Sequence, residues 1–158
     1  MRMSKTRLAI LASLTVCLIP FVNPFAQGFE KPVKMNDLPA AVRKTVEQQS
    51  EGAIVRGLSK EIENGEAYYE VELRVQGHNK DVLIDSEGTV VEIEEEADLA
   101  SLPATVRAQL EKQAGLGKIV MVESVTRKGA LVAYEAHVTR GRKRSEIKVS
   151  PEGQLIKD

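Results

Sequence analysis

The chain has 158 residues, of which 42% are hydrophobic and 4% aromatic, and this length is about that of one ordinary domain. Its 22 lysines and arginines nearly balance its 23 aspartates and glutamates, so the total charge selects no class of partner. The only cysteine, Cys17, falls in an N-terminal segment that we expect to be removed. The composition therefore excludes disulfides, thiolate nucleophiles and cysteine-bound metals from the remaining chain.

The N-terminus has the layout of a secretory signal peptide. Three basic residues, Arg2, Lys5 and Arg7, precede an apolar stretch over residues 8–19 that Pro20 closes. This stretch is shorter than the roughly 20 residues of a membrane-spanning helix. We expect a signal peptide at residues 1–28 and a flexible lead-in at 29–36. The protein is then exported, to the periplasm or outside the cell, and its mature chain has no transmembrane segment.

Charge is unevenly distributed along the mature chain. Residues 29–97 contain 8 basic and 16 acidic side chains, net −8, whereas residues 98–158 contain 11 basic and 7 acidic ones, net +4. Such asymmetry can steer a charged partner or align one copy of the chain against another. Divergence between two solvated surfaces is the alternative explanation.

A sequence motif occurs twice. Leu-Pro-Ala-Ala-Val-Arg at residues 38–43 returns as Leu-Pro-Ala-Thr-Val-Arg at 102–107, and the residues that follow keep step to the end. We therefore predict two repeats, at residues 37–97 and 98–158. A duplicated small unit usually builds an extended surface, whereas an active site needs unlike groups that converge on one point. The duplication favours binding over catalysis.

Each repeat begins with a predicted amphipathic helix. Asp37 and Ser101 are predicted N-caps, and Pro39 falls in the first turn, where a missing N–H costs nothing. Apolar residues recur every four positions and predict one buried stripe on each helix, formed by Leu38, Val42 and Val46 and then by Leu102, Val106 and Leu110.

Strand patterns follow each helix. Apolar and polar residues alternate over residues 67–75, and the preceding Asn64-Gly65 predicts a tight hairpin turn. Shorter strands are predicted at 81–85 and 89–93. The segment 92–100, rich in glutamate, is interpreted as a solvated connector or strand end and not as a metal site. The predicted fold class is α+β, with two tandem repeats, each one helix packed on about four antiparallel strands.

No catalytic constellation is present in the sequence. The two histidines, His78 and His137, occupy non-equivalent positions, and there is no zinc-protease motif, phosphate loop or serine nucleophile elbow. Glu70 and Glu72 share one strand face, but an open sheet does not desolvate them for acid catalysis. We therefore predict no enzyme activity, no catalytic residues, no metal and no cofactor.

Several segments resemble the PepSY-like family, in particular its secreted tandem members described as beta-lactamase-inhibitor-like. These are the Leu-Pro-x-x-Val helix start, the strand Tyr-Glu-Val-Glu-Leu at 69–73 and the stretch Val-Leu-Ile-Asp-Ser-Glu-Gly-Thr-Val at 82–90. The resemblance implies an exported, non-catalytic module whose helices cover one side of an antiparallel sheet. It also implies a role in peptidase inhibition or envelope regulation. The second repeat departs from the pattern, because Ser150 replaces the turn residue Asp85.

A basic cluster occupies one predicted hairpin tip, Arg-Gly-Arg-Lys-Arg at 140–144. It is interpreted either as a docking site for an acidic protein, lipid headgroups or another copy of the chain, or as a charged cap that keeps a strand end soluble. No aromatic residues flank it, which argues against nucleic acid as the partner.

The leading hypothesis is a protein-binding module that inhibits or regulates a peptidase or other hydrolase. The expected partner-binding residues lie on the polar strand face and at the basic tip, and they are Tyr68, Glu70, Glu72, Arg140, Arg142, Lys143 and Arg144. The alternative is a structural cell-envelope protein that self-associates through its acidic first half and basic second half. A small-ligand site in a cleft between the repeats is a third possibility.

Overall fold

The computed structural model describes residues 31–157, so the predicted signal peptide at 1–28 lies outside the described residues. Within this part of the chain, none of the helices combines the length and apolar character needed to cross a bilayer.

Within residues 31–157, nine strands form one antiparallel sheet, and their order in the sheet is their order in the chain. The same residues form two α-helices, α1 (Ala40–Gln49) and α2 (Ala104–Ala114), each preceded by a short 3-10 helix at Met35–Asp37 or Leu99–Ser101. The strands are β1 (Lys31–Pro32), β2 (Ile54–Glu63), β3 (Glu66–Val75), β4 (His78–Asp85), β5 (Val90–Glu96), β6 (Lys118–Arg127), β7 (Ala130–Arg140), β8 (Lys143–Val149) and β9 (Leu155–Ile156).

The prediction of two tandem repeats, each one helix on about four strands, is wrong. The residues that the sequence marks as a connector are β5, which pairs with β6 from Glu92 opposite Arg127 to Glu96 opposite Glu123. This pairing joins all the strands of residues 31–157 into one continuous sheet, accompanied by only two α-helices. Hydrogen bonds between sequence-distant strands decide the architecture, and these do not appear in local sequence patterns.

Both helices cover the same face of the sheet. The predicted stripe of α1 is buried against Val71, Leu73 and Val82, and the stripe of α2 against Val122, Ala136, Val138 and Val149. Residues directly opposite each other in an antiparallel pair share a face. Ile93 on β5 packs against the apolar core that α1 covers, and it lies opposite Thr126 on β6. The face therefore continues from β5 to β6, and both helices lie on one side.

The predicted N-caps are wrong. Pro39 and Pro103 occupy the N-cap positions without a side-chain cap, because Asp37 and Ser101 each lie in the 3-10 helix that precedes the α-helix. The one side-chain cap of these helix starts is Asp98, which accepts a hydrogen bond from the Ala100 N–H. A local polar residue near a helix start thus caps the 3-10 turn instead of the α-helix.

The hairpin and turn predictions are confirmed. Asn64 and Gly65 have φ of 49° and 85°, as a primed turn requires. At the β4–β5 turn, Asp85 Oδ1 accepts hydrogen bonds from the N–H groups of Glu87 and Thr89 at 3.1 and 2.7 Å. Gly88, at φ 87°, packs so closely on the Ala41 backbone that a Cβ would lie 2.8 Å from it. The turn is thereby fixed against α1.

Candidate functional site: the helix-free face

The sheet side on which no helix of residues 31–157 packs is rich in charge, and we call it the helix-free face. Side chains alternate along each strand, so the neighbours of core residues point to this side. Its charged and polar members include Glu61, Tyr68, Glu70, Glu72, Arg74, Asp81, Glu92, Glu94, Glu96, Glu123, Arg127, Glu135, His137, Glu146 and Lys148, as the strand registers specify.

The three strand residues predicted to contact a partner all lie on this face. Tyr68, Glu70 and Glu72 alternate along β3, with the buried core residues between them. The Tyr68 hydroxyl donates a hydrogen bond to Glu66 at 2.9 Å, which raises the pKa of the phenol. The Glu72 carboxylate lies over Gly57, where a Cβ would come within 2.9 Å of it. Gly57 therefore leaves room for an exposed carboxylate to lie flat on the sheet.

The four basic tip residues are all exposed at the β7–β8 turn, in the order Arg140, Arg142, Lys143 and Arg144. The structure does not bring them next to the β3 residues. Strands β4, β5 and β6 lie between β3 and β7, which corresponds to roughly 19 Å across the sheet. A partner that contacts both groups must span most of the sheet.

Three glutamates are buried at the centre and C-terminal half of this face although no helix covers it: Glu92, Glu123 and Glu135 are 7%, 3% and 4% exposed. Each has a cationic or ring-nitrogen partner. Glu92 pairs with Arg127, Glu123 with His137 Nε2 at 2.8 Å, and Glu135 with Lys148 Nζ at 2.7 Å. Buried charges persist only when paired, so these pairs form a built polar centre.

Glu94 lies within this polar centre. Burial, and then the neighbouring Glu135, Glu92 and Glu123, raise its pKa to about 8, and Lys148 offsets this only in part. Glu94 therefore holds a proton at neutral pH. Sequence reasoning missed it, since only the pairing of β5 with β6 places it at the centre of a sheet.

His137 lies between two carboxylates. Its Nε2 contacts Glu123, and its Nδ1 is 3.8 Å from Glu146 Oε1. The hydrogen bond to Glu123 is the main cause of a raised His137 pKa, and burial opposes it. The carboxylate neighbours of His137 come from β6 and β8, and only the hairpin registers could have revealed them.

A shallow recess extends from His137 toward the basic tip. Val120 and Met121 on β6 line one side of it, and Arg144 and Glu146 on β8 line the other. Val120 is 53% exposed, which is unusual for valine in a strand. Apolar surface, a histidine and opposite charges therefore lie side by side at this edge of the face.

Solved structures of three Bacteroides proteins share this fold. A DUF2874 family protein from Bacteroides ovatus is 19% identical over 76% of this chain and 85% of its own, with a TM-score of 0.59. A candidate periplasmic protein from Bacteroides eggerthii is 17% identical over 76% and 86%, with a TM-score of 0.61. A BLIP-like protein from Bacteroides fragilis is 17% identical over 76% and 84%, with a TM-score of 0.55.

No family model matches the chain, and no curated protein matches it significantly. The likeness to a BLIP-like protein is supported at the level of the fold. Membership of a tandem PepSY-like family stays a prediction. None of the three structural neighbours is described as an enzyme.

Proposed function

We propose that the protein is an exported, non-catalytic binding module and that its helix-free face contacts a partner protein with a lysine- and arginine-rich surface. The observation that carries this proposal is a broad charged sheet face that no helix of residues 31–157 covers. On β2 to β5 the carboxylates of this face that are not buried include Glu70, Glu72, Asp81 and Glu96, and complementary charge gives orientation and speed to association.

The exported location has two supports. The N-terminal sequence has the pattern of a signal peptide, and one structural neighbour is described as a candidate periplasmic protein.

The basic tip residues Arg140, Arg142, Lys143 and Arg144 form a second contact, with an acidic patch on the same partner.

The partner class that we favour is a peptidase or other hydrolase, which the module inhibits or regulates. The family resemblance and the name of the BLIP-like neighbour support this choice. The purified protein should then reduce one hydrolytic activity of an envelope extract, and that inhibition should disappear when the helix-free face is altered. Unchanged activities across a peptidase and hydrolase panel would contradict the inhibitor role while leaving binding intact.

Charge-reversal variants test the binding surface. Capture from a native envelope extract is compared for the wild type and for the double variant Glu70→Lys with Glu72→Lys. The matched control is Glu47→Lys with Glu111→Lys, which makes the same charge change at exposed helix positions. We expect the face variant to lose the captured protein and the control to keep it. Equal loss in both variants would mean that only net charge matters, and no loss in either would contradict the proposal.

The basic tip is tested separately with Arg142→Glu and Lys143→Glu. If capture by this double variant equals that of the wild type, the tip is a solubilising cap and not a contact site. The strand-face assignment is independent of this outcome.

Self-association is a second candidate, favoured by one observation: the exposed cationic tip of one copy complements the acidic β2–β5 surface of another. Association through exposed charges weakens steeply as ionic strength rises, because the Debye length shortens from about 10 Å at 0.1 M to about 3 Å at 1 M. Sedimentation should then show oligomers at low salt and monomers at high salt. A profile that is monomeric at both ionic strengths would contradict self-association.

A further inference from the structure

One histidine and two glutamates come together at the edge of the helix-free face. His137 on β7 lies directly opposite Glu146 on β8, and Glu135 precedes His137 by two residues on the same side of β7. One ligand atom from each side chain lies within 4.8 Å of the other two. An imidazole nitrogen combined with carboxylate oxygens is a ligand set that Zn²⁺ accepts readily.

The ring of His137 is oriented as it is in metal sites. A carboxylate oxygen can only accept a hydrogen bond, so the contact between Nε2 and Glu123 Oε2 at 2.8 Å places the ring hydrogen on Nε2. In the neutral ring, Nδ1 then keeps its lone pair, and it is Nδ1 that faces Glu146. Histidines that bind metals usually donate their second ring N–H to a carboxylate in this way. Glu123 is thus a positioning residue for His137.

The second glutamate, Glu135, is deeply buried. It is 4% exposed, and its Oε2 lies 2.7 Å from Lys148 Nζ. A carboxylate has two oxygens, so an ammonium group on one leaves the other able to bind a cation. Glu146 faces the same space with a side chain that is 61% exposed. Two carboxylates that share a site repel each other unless a cation or a proton lies between them.

We propose that Glu135, His137 and Glu146 bind one divalent transition-metal ion, with Zn²⁺ as the expected occupant. In a tetrahedral site, ligands bound at about 2.0–2.2 Å lie roughly 3.3–3.6 Å apart. The three ligand atoms, which lie within 4.8 Å of one another, must therefore close by at most about 1.5 Å, and the exposed Glu146 side chain is free to supply this movement. Three protein ligands leave a fourth position open on the solvent side. A side chain of a bound protein can fill that position.

The ligand set distinguishes Zn²⁺ from the hard cations. Ca²⁺ and Mg²⁺ prefer sites made entirely of oxygen ligands, so an imidazole at the centre of the cluster disfavours both. The inference does not depend on the identity of the partner protein. If the protein does not bind Zn²⁺, the proposed partner binding is unaffected. If it binds no partner protein, the proposed Zn²⁺ site is likewise unaffected.

The test uses the tag-free protein, treated with a chelator and then titrated with ZnCl₂ or CaCl₂ by calorimetry. We expect one Zn²⁺ per chain and binding of Ca²⁺ that is weaker by more than about 10-fold. The variants His137→Gln and Glu146→Gln should each weaken Zn²⁺ binding by more than about 10-fold. The matched controls are His78→Gln, at the other histidine, and Glu111→Gln, on an exposed face of α2, and both should stay within about twofold.

A measurement on the unmodified protein removes any doubt about variant folding. The chain has two histidines, so NMR of their ring signals resolves which one binds the metal. Zn²⁺ should shift the His137 signals and leave those of His78 unchanged. No Zn²⁺ binding, shifts at His78, equal binding of Ca²⁺, or unchanged affinity in both ligand variants would each overturn the proposal.

Discussion

On the helix-covered face of the sheet, α1 and α2 enclose valines and leucines that are 0–7% exposed. The helix-free face buries Glu92, Glu123 and Glu135 to a similar degree, with no covering helix among the described residues. One sheet therefore combines two kinds of interior. Apolar burial stabilises the first in proportion to the area removed from water. The second contributes less to stability, because pairing of buried charges mainly offsets their desolvation. Substitutions should consequently affect stability on the first face and charge state or binding on the second.

The largest effect is expected from Leu110→Ala. Leu110 on α2 is fully buried in the helix-covered face, and removal of its side chain leaves a cavity. The free energy of unfolding should fall by about 3 kcal/mol in urea denaturation. Leu116→Ala is the control, since Leu116 is 85% exposed and its truncation should change the free energy by less than about 0.5 kcal/mol. Similar losses in the two variants would contradict the assignment of the apolar core.

A somewhat smaller effect is expected from Lys148→Met, which leaves the buried Glu135 without its cation. Unfolding free energy at neutral pH should fall by about 2 kcal/mol, because Glu135 must then be either charged without a partner or protonated. Addition of Glu135→Leu removes the uncompensated carboxyl and should recover most of this loss. If the double variant is as unstable as the single one, packing and not charge pairing holds this part of the face.

Glu94→Gln should mainly change how the free energy of unfolding depends on pH. The pKa of Glu94 is about 8 in the folded protein and 4.5 in its ordinary environment. Between these values the folded state binds a proton that the unfolded state has released, so Glu94 lowers stability as pH rises from about 5 to about 8. The variant should lack this decline and gain about 1–2 kcal/mol at pH 8, after allowance for partial exposure.

The matched control for this prediction is Glu95→Gln at the next residue. Glu95 points to the opposite side of β5 and pairs with Lys80 at 3.3 Å, and because the Glu95 side chain is 55% exposed, this ion pair is worth little. For the Glu95→Gln variant, the slope of unfolding free energy against pH should equal that of the wild type. Identical slopes for Glu94→Gln and the wild type would show that Glu94 is not held protonated in the folded protein.

The local elements of the fold could be predicted from the sequence. The apolar stripes of both helices and the Asn64-Gly65 turn depend on residues within one or two turns of each other, and the structure confirms them. The N-caps were misassigned because a 3-10 turn precedes each α-helix. A short polar residue favours the start of either kind of helix, so its presence does not distinguish them.

The sheet architecture and the polar centre could not be predicted, because both depend on contacts between distant residues. By local sequence alone, the consecutive glutamates at 94–96 resemble a solvated linker. They form a strand because β5 pairs with β6, where Glu94 lies opposite Val125, 31 residues further along the chain. The environment of His137 likewise requires three strands in register. The alternation along β3 did place Tyr68, Glu70 and Glu72 on one face, while their role in binding stays a prediction.

The central claim is that the helix-free face is the surface that meets the partner. Carboxyl labelling of the free protein and of the complex captured from the native envelope, read residue by residue by mass spectrometry, tests it most directly. The account predicts that Glu70, Glu72 and Asp81 are protected in the complex, while Glu47 and Glu111 on the helices are labelled as in the free protein. Protection of the two helix glutamates, with unchanged labelling of the three strand residues, would contradict it.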